Sequence, residues 1–155
     1  MISNQEELVN LKITVEESES NNEIEVIIKC RKKNEKVDKL ISAIQLNSQT
    51  VIGKSEGITY FLLLDIILYI DTVDEKVFIY TKDKVYETNL RLYELEEMFL
   101  HTGMIRVNKS TIINLMKVDH VSPMLNGRIK AVLINGETII ISRQYVQNFK
   151  KKLGI

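Results

Sequence analysis

The arrangement of hydrophobic and polar positions divides the chain into two parts. In the first part, apolar and polar residues alternate in LKITVEE from Leu11 and in EIEVIIKCR from Glu23, which predicts two β-strands. A helix over residues 35–49 is predicted by four apolar residues at helical spacing, Val37, Leu40, Ile41 and Ile44. A short strand follows this helix, so residues 1–57 are predicted to form a small β-β-α-β unit.

From residue 58 onward, short apolar runs alternate with polar turns. The longest apolar run covers residues 58–70 and is interrupted by one aspartate. A membrane span needs roughly 20 apolar residues, so this run predicts buried strand. A strand pair is predicted around a turn at Asp74-Glu75. Asn-Gly steps at 126–127 and 135–136 predict hairpins, because the tight turns that Asn-Gly favours require positive φ angles.

Two helices are predicted among these strands. A short helix that Gly103 would end carries four apolar residues on one face, Leu92, Leu95, Met98 and Phe99. The last helix has Ser142 as its N-cap, Gly154 as its stop and one apolar face, formed by Tyr145, Val146, Phe149 and Leu153. The predicted fold class is α+β and mostly β, with the N-terminal unit over residues 1–57 and a second domain over residues 58–155.

Charge is distributed unevenly along the chain. Lys and Arg equal Asp and Glu in number, at 21 each. The last 58 residues nevertheless carry nine basic and two acidic side chains, a net charge of +7, whereas the first 97 carry 12 and 19, a net charge of −7. A basic domain on an otherwise acidic chain indicates a polyanionic partner, and nucleic acid is the first candidate.

Two clusters of donor-bearing side chains lie in the basic part. The first crowds five of them into six positions, Arg106, Asn108, Lys109, Ser110 and Thr111. Arg and Lys bind phosphate or guanine edges, Asn pairs with adenine, and hydroxyl groups reach phosphate. The second cluster, Ser142-Arg143-Gln144, lies at a strand-to-helix junction, where the helix dipole favours anions. A solvated loop and an ordinary capped helix start are the alternative interpretations of the two clusters.

The sequence lacks the motifs of other chemistries. It contains no Gly-rich phosphate loop, nucleophile elbow or zinc-binding helix motif. His101 and His120 are far apart and have no paired cysteines, which disfavours a zinc site. We therefore expect a protein that is not an enzyme and uses no cofactor and no metal. The single Cys30 fits a reducing compartment, and its position at the end of an apolar strand favours a packed side chain over a redox switch.

Three segments of the second part together carry a family resemblance. The segments IRVNKSTIIN, LNG…LINGE and ISRQYVQNFKKKL occur in this order, and residues 58–155 resemble a LytTR-type DNA-binding domain. The whole chain resembles the compact stand-alone LytTR transcriptional regulators. The resemblance implies small stacked antiparallel sheets whose loops enter successive major grooves of double-stranded DNA. It also implies binding to paired direct-repeat sites with bending of the DNA, and a homodimer at least on DNA.

The resemblance also nominates DNA contacts position by position. The base-reading positions are Lys76 in the turn Asp74-Glu75-Lys76, Asn108 with Lys109, and Arg143 with Gln144. Ser110 matches a serine that supports phosphate contact, and Asn114 matches an asparagine that holds the turn. The full set of expected DNA-binding residues is Lys76, Arg106, Asn108, Lys109, Ser110, Arg143 and Gln144. Two departures are the acidic Asp74-Glu75 turn and Asn108, where many family members have histidine.

The N-terminal part departs from the many LytTR proteins that carry a phospho-accepting receiver domain. About 57 residues are too few for that domain. We expect this part to serve dimerisation or regulation, and its acidic residues could weaken DNA binding electrostatically. Family analogy adds a regulatory membrane-protein partner. The polar N-terminus resembles no signal peptide, so a cytoplasmic protein is expected.

Two other classes of function compete with DNA binding. The first is a protein-interaction module whose basic face docks an acidic protein partner, with DNA binding incidental. The second is RNA binding, for which the basic clusters lack the interleaved aromatic residues that stack on bases.

Overall fold

The computed structural model describes residues 10–20 and 25–155, without the side chains of residues 45–48. Three α-helices are formed within these residues, α1 (Glu35–Ser48), α2 (Leu92–Met98) and α3 (Arg143–Leu153). The strands are β1 (Thr50–Ser55), β2 (Ile58–Leu63), β3 (Ile67–Val73), β4 (Lys76–Thr81), β5 (Val85–Thr88), β6 (Met104–Arg106), β7 (Thr111–Asn114), β8 (Val118–Pro123), β9 (Ile129–Leu133) and β10 (Thr138–Ile141). Single 3₁₀ turns lie at Leu64–Ile66, Leu115–Lys117 and Leu125–Gly127.

The strands form two antiparallel sheets. The large sheet has seven strands in the order β2-β1-β5-β4-β3-β7-β6, and the small sheet has three in the order β10-β9-β8. Short hairpin turns connect most neighbouring strands, and the turn between β3 and β4 lies at Asp74-Glu75, where both residues have positive φ. The predicted α+β, mostly β fold of small antiparallel sheets is confirmed.

Two hydrophobic cores hold these elements together. In the first, α2 packs on one face of the large sheet through Leu92, Leu95 and Phe99, against strand residues such as Ile70 and Ile79. The second core lies among β6, β7, the small sheet and α3, and its central buried side chains include Val107, Ile113, Ala131, Ile141 and Phe149. Because α3 buries Phe149 with Tyr145, Val146 and Leu153 beside it, the predicted apolar face of the last helix is confirmed.

Two polar contacts connect parts of the fold. The side-chain amide of Asn114 donates to the carbonyls of Leu64 and Ile67 at 3.1 and 2.9 Å, and its oxygen accepts from the amide of Met116. Asn114 is 4% exposed, and these contacts hold the 3₁₀ turns at Leu64–Ile66 and Leu115–Lys117. The Tyr69 hydroxyl donates to Glu137 at 3.2 Å, from the large sheet to the β9–β10 hairpin. Burial and the Glu137 carboxylate raise the pKa of Tyr69, which keeps this donor protonated.

The two strands predicted near the N-terminus are not formed among the described residues. Residues 10–20 and 25–34 have no strand pairing, and Glu23 with Ile24 lies outside the described residues. A strand requires a neighbour for its backbone N–H and C=O groups, and no described segment of the same chain supplies one. The helix and last strand of the predicted unit are confirmed as α1 and β1. The division into domains at residue 57 stays a prediction, and β1 pairs with β2 and β5 of the large sheet.

Three local predictions were wrong. The apolar run 58–70 forms β2, a 3₁₀ turn and the start of β3. The β2 strand lies at the edge of the sheet and buries only one face, with Leu62 3% exposed and Phe61 75% exposed. The α2 helix ends at Met98 with Phe99 as its C-cap, well before Gly103, and Met98 lies in solvent, off the buried face of Leu92, Leu95 and Phe99. Cys30 is exposed, since the strand that was to bury it has no partner.

None of the helices in the described part of the chain is long and apolar enough to cross a membrane.

Candidate nucleic-acid interface

Three chain segments meet at one end of the large sheet. Asp71 of β3 is paired with Thr111 of β7, so the β3–β4 turn and the β6–β7 loop over 107–110 leave the sheet at the same end. The amide of Ser142 donates to the carbonyl of Val107 at 2.9 Å, which brings the junction between β10 and α3 to the same loop. The fold therefore brings together the two polar clusters that are far apart in sequence.

A hydrogen-bond chain sets the shape of the β6–β7 loop. The Asn108 side-chain oxygen accepts from the amide and hydroxyl of Ser110 at 2.9 and 3.1 Å, and its amide donates to the carbonyl of Ile140 at 3.2 Å. The Thr111 hydroxyl lies 3.2 Å from the Ser110 hydroxyl and donates to Asp71 at 3.0 Å. The polar groups of Asn108 and Ser110 are thus engaged in hydrogen bonds that connect β3, the loop and β10.

Arg106 is directed into the same loop. Its Nε donates to the carbonyl of Asn108 at 3.1 Å, Nη2 donates to the carbonyl of Lys109 at 2.6 Å, and Nη1 pairs with Glu96 of α2 at 3.0 Å. The Arg106 side chain is 21% exposed. All three nitrogens of its guanidinium have protein partners, so Arg106 braces the loop and its charge is partly neutralised by Glu96.

Three nominated side chains project freely beside this braced loop. Lys109, Arg143 and Gln144 are exposed, and together with Asn108 and Ser142 they line one shallow depression. A side chain at position 127 would lie only 3.6 Å from Cγ and Cδ of Arg143, so the aliphatic stem of Arg143 runs across the β8–β9 loop at Gly127. The depression presents two cations and one amide at the N-terminus of α3, where the helix dipole adds positive potential.

Lys76 lies at the same end of the sheet but has a different neighbour. Its ammonium group is 3.4 Å from Glu87 of β5, and β5 lies on the side of β4 away from β3 and β7. The adjacent turn carries the acidic Asp74 and Glu75. Of the seven nominated residues, the structure brings six to the β6–β7 loop and the α3 junction and places Lys76 beside an acidic group.

Two residues with a part in this arrangement were not nominated from sequence. Asp71 anchors Thr111, and the only sequence signal for it is a lone carboxylate within the strand ILYIDTV. Glu96 pairs with Arg106, and nothing in the local sequence distinguishes it from Glu97. Among the described residues, no group of three or more His, Cys, Asp and Glu is arranged to hold a metal ion.

Comparison with known proteins relates this geometry to a family. The family described as LytTr DNA-binding domain matches residues 58–154. A LytTr DNA-binding domain from Bacillus cereus superimposes with a TM-score of 0.65 at 21% sequence identity, covering 69% of this chain and 98% of that one. At that identity the superposition supports the fold alone.

Two relatives differ in how much of the chain they match. Sensory transduction protein LytT of Enterococcus faecalis is 32% identical over 89 residues, which cover 57% of this chain and 37% of that protein. A protein of Staphylococcus aureus named an HTH-type transcriptional regulator is 28% identical over 149 residues, covering 95% of this chain and 98% of that protein. In this chain, α2 and α3 are separated by five strands, so these helices do not form a helix-turn-helix.

Proposed function

The chain belongs to the LytTR family of DNA-binding domains, and on this premise we propose that it is a transcriptional regulator that binds specific sequences of double-stranded DNA. The contact surface in this proposal is the end of the large sheet where the β6–β7 loop and the N-terminus of α3 meet. The observation that carries the proposal is the depression lined by Lys109, Arg143 and Gln144. It lies in the part of the chain with a net charge of +7, where basic side chains can neutralise phosphates.

Lys109, Arg143 and Gln144 are proposed as the residues that reach base edges. The major groove is about 12 Å wide and admits a protein element that projects exposed donors from a rigid support. Arg and Lys match the two acceptors of guanine, and Gln can pair with adenine. Because these three side chains are exposed while their backbone is fixed, they can contact bases without rearrangement of the loop.

Arg106, Asn108 and Ser110 are proposed as positioning residues. Their polar groups are engaged within the protein, so their contribution to DNA binding comes from the loop shape that they maintain. Lys76 is proposed as a weaker phosphate contact, because Glu87 and the acidic turn offset its charge. This assignment changes the expectation for Asn108 in particular, whose amide donates to Ile140 rather than projecting towards a base.

Binding of purified protein to duplex DNA from its own upstream region tests the proposal. Fluorescence anisotropy should show binding at least ~10³-fold tighter than to a scrambled duplex of equal length at physiological salt. The slope of log affinity against log salt then counts the phosphate contacts. Equal and weak binding to both duplexes and to a randomised DNA library would instead support the protein-interaction module.

Arg143→Ala tests the contact surface itself. A lost base contact costs about 1–3 kcal/mol on the specific duplex and much less on the scrambled one. The matched control is Lys151→Ala, which removes an exposed cation about 12 Å further along the same helix. Equal losses for Arg143→Ala on both duplexes would reassign Arg143 to phosphate contact.

The remaining parts of the proposal concern assembly. We propose that two protomers bind paired direct-repeat sites as a homodimer, and that residues 1–57 serve dimerisation or regulation. A regulatory membrane-protein partner stays a prediction from the family resemblance, and a cytoplasmic location stays a prediction from the sequence.

A further inference from the structure

The N-terminal residues carry regular apolar patterns that remain largely uncovered among the described residues of one copy. Leu11, Ile13 and Val15 alternate with polar residues and are 59–78% exposed, and Val26 and Ile27 are 58% and 68% exposed. The four apolar residues at helical spacing form a stripe along α1 that is also incompletely covered. Val37, Leu40 and Ile41 are half-buried and Ile44 is exposed. Such surfaces in a folded protein mark an interaction site.

Charge along residues 25–31 indicates which partner fits. The sequence EVIIKCR has its acidic residue at one end and basic residues at the other. When this segment is paired antiparallel with an identical segment about Ile28, Glu25 lies opposite Arg31 and Val26 lies opposite Cys30. Two-fold symmetry repeats the Glu25–Arg31 pair, so each dimer contains it twice. A strand cannot pair with itself, so only a second copy can form these contacts.

We propose that residues 25–31 form a β-strand that pairs antiparallel with the same residues of a second copy, in the register centred on Ile28. The backbone groups of this segment then gain a strand neighbour, which they do not have among the described residues of one copy. Strand alternation places Val26, Ile28 and Cys30 on a single face, because successive side chains point to opposite sides. The half-exposed stripe of α1 is the apolar surface available in each copy to cover that face.

The alternating segment around Ile13 completes the arrangement as a flanking strand in each copy. An isolated two-stranded pair is marginal in water, whereas four strands with one face covered by helices are sufficient for stability. The two outer strands therefore explain why the pattern extends over both segments. This inference rests on the proposed function only for the purpose of the dimer. The dimer would join two DNA-binding surfaces, so that after one surface binds DNA the other meets its site at high effective concentration.

Charge reversal tests the register without DNA. Glu25→Arg and Arg31→Glu each replace two opposite-charge pairs of the dimer by two like-charge pairs, and each should weaken dimerisation by about ten-fold or more. In an equimolar mixture of the two variants, a mixed dimer regains two opposite-charge pairs, one with the original signs and one with the signs reversed. Sedimentation velocity should show the mixture dimerising nearly as tightly as the unaltered protein.

The controls make the same charge changes at exposed positions outside the segment, Glu97→Arg and Lys82→Glu. Neither control should move the dimer constant, alone or mixed. A mixture of Glu25→Arg and Arg31→Glu that dimerises no better than each variant alone overturns the register, and an unaltered protein that sediments as a monomer at ~100 μM overturns the dimer.

Disulfide trapping gives a second and independent measurement. Val26→Cys places a thiol directly opposite Cys30 of the other copy, where Cβ atoms of facing strand residues are about 4.5–5.5 Å apart and little adjustment brings them to disulfide distance. Mild oxidation should then produce a covalent dimer. Ile27→Cys is the matched control, because its side chain points to the opposite face of the strand. Equal cross-linking of both variants overturns the register.

Failure of this inference and failure of the proposed function can be told apart. The dimer measurements contain no DNA, and Glu25→Arg leaves the α3 depression unchanged. A single-site duplex should bind Glu25→Arg as tightly as the unaltered protein. Loss of dimerisation with retained single-site binding supports both proposals, whereas intact dimers that bind no specific duplex remove only the DNA proposal.

Discussion

Residues 10–44 and the sheets that follow them have equally regular hydrophobic patterns but bury them to different extents. Every described side chain of the first region is exposed or half-buried, whereas the second region contains two closed cores. The strands of the sheets find partners a few residues away, as β3 finds β4 across a tight turn. The N-terminal segments find no such partner among the described residues, so a pattern alone identifies what can be buried and leaves open what covers it.

The largest expected contrast between the regions is in side-chain truncation. Phe149 is 0% exposed in the second core, so Phe149→Ala should lower the free energy of unfolding by about 3–5 kcal/mol. Ile13 is 78% exposed, so Ile13→Ala should change it by less than about 0.5 kcal/mol. Urea unfolding followed by circular dichroism at low protein concentration measures both. Similar costs at the two positions would remove the distinction between the regions.

Buried polar groups should show the next largest effect. Asn114→Ala leaves the carbonyls of Leu64 and Ile67 without their donor, which should cost about 2–3 kcal/mol. Asn148 is exposed on α3, and Asn148→Ala should stay within about 0.5 kcal/mol of the unaltered protein. A shift in the urea midpoint for Asn114→Ala no larger than that for Asn148→Ala contradicts the bracing role.

A smaller effect is expected where an arginine braces the DNA-binding loop. Arg106→Gln removes the ion pair with Glu96 and at least one loop bond, which should cost about 1–2 kcal/mol of stability. Specific DNA affinity should fall as well, because the loop loses its shape. Arg31→Gln, at an exposed N-terminal arginine, should leave the unfolding of the monomer unchanged. Wild-type DNA affinity for Arg106→Gln would show that the loop keeps its shape without this brace.

The smallest expected effect on the sheets comes from the cap of α1. The Asn34 side chain accepts from the amide of Val37 at 3.1 Å, so Asn34→Ala should weaken the helix by about 1 kcal/mol. Since no described side chain of α1 belongs to either core, the cooperative unfolding of the sheets should be unaffected while helical signal is lost. A parallel shift of both signals would show that α1 and the sheets unfold as one unit.

Local periodicity predicted the second region well and the first region poorly. The pattern that correctly placed β3, β4, β9, β10 and α3 also predicted strands around Ile13 and Ile27, which are not formed in the described residues. The same limit applied to β2, where an apolar run predicted a buried strand and the edge position left Phe61 in solvent. Periodicity reports which face of an element is apolar, but burial depends on the neighbours that the topology supplies.

The sequence by itself determined several strands and the last helix after residue 58, the separation of charge and the family to which the chain belongs, because these follow from short-range patterns and motifs. Only the tertiary structure decided which polar side chains of the two clusters stay exposed. Asn108 is engaged by a carbonyl 32 residues away and Arg106 by a carboxylate on another helix, whereas Lys109 and Arg143 remain exposed. Hydrogen-bond partners that are distant in sequence cannot be assigned until the strands are paired, and for that reason the division between positioning and contacting residues belongs to the fold.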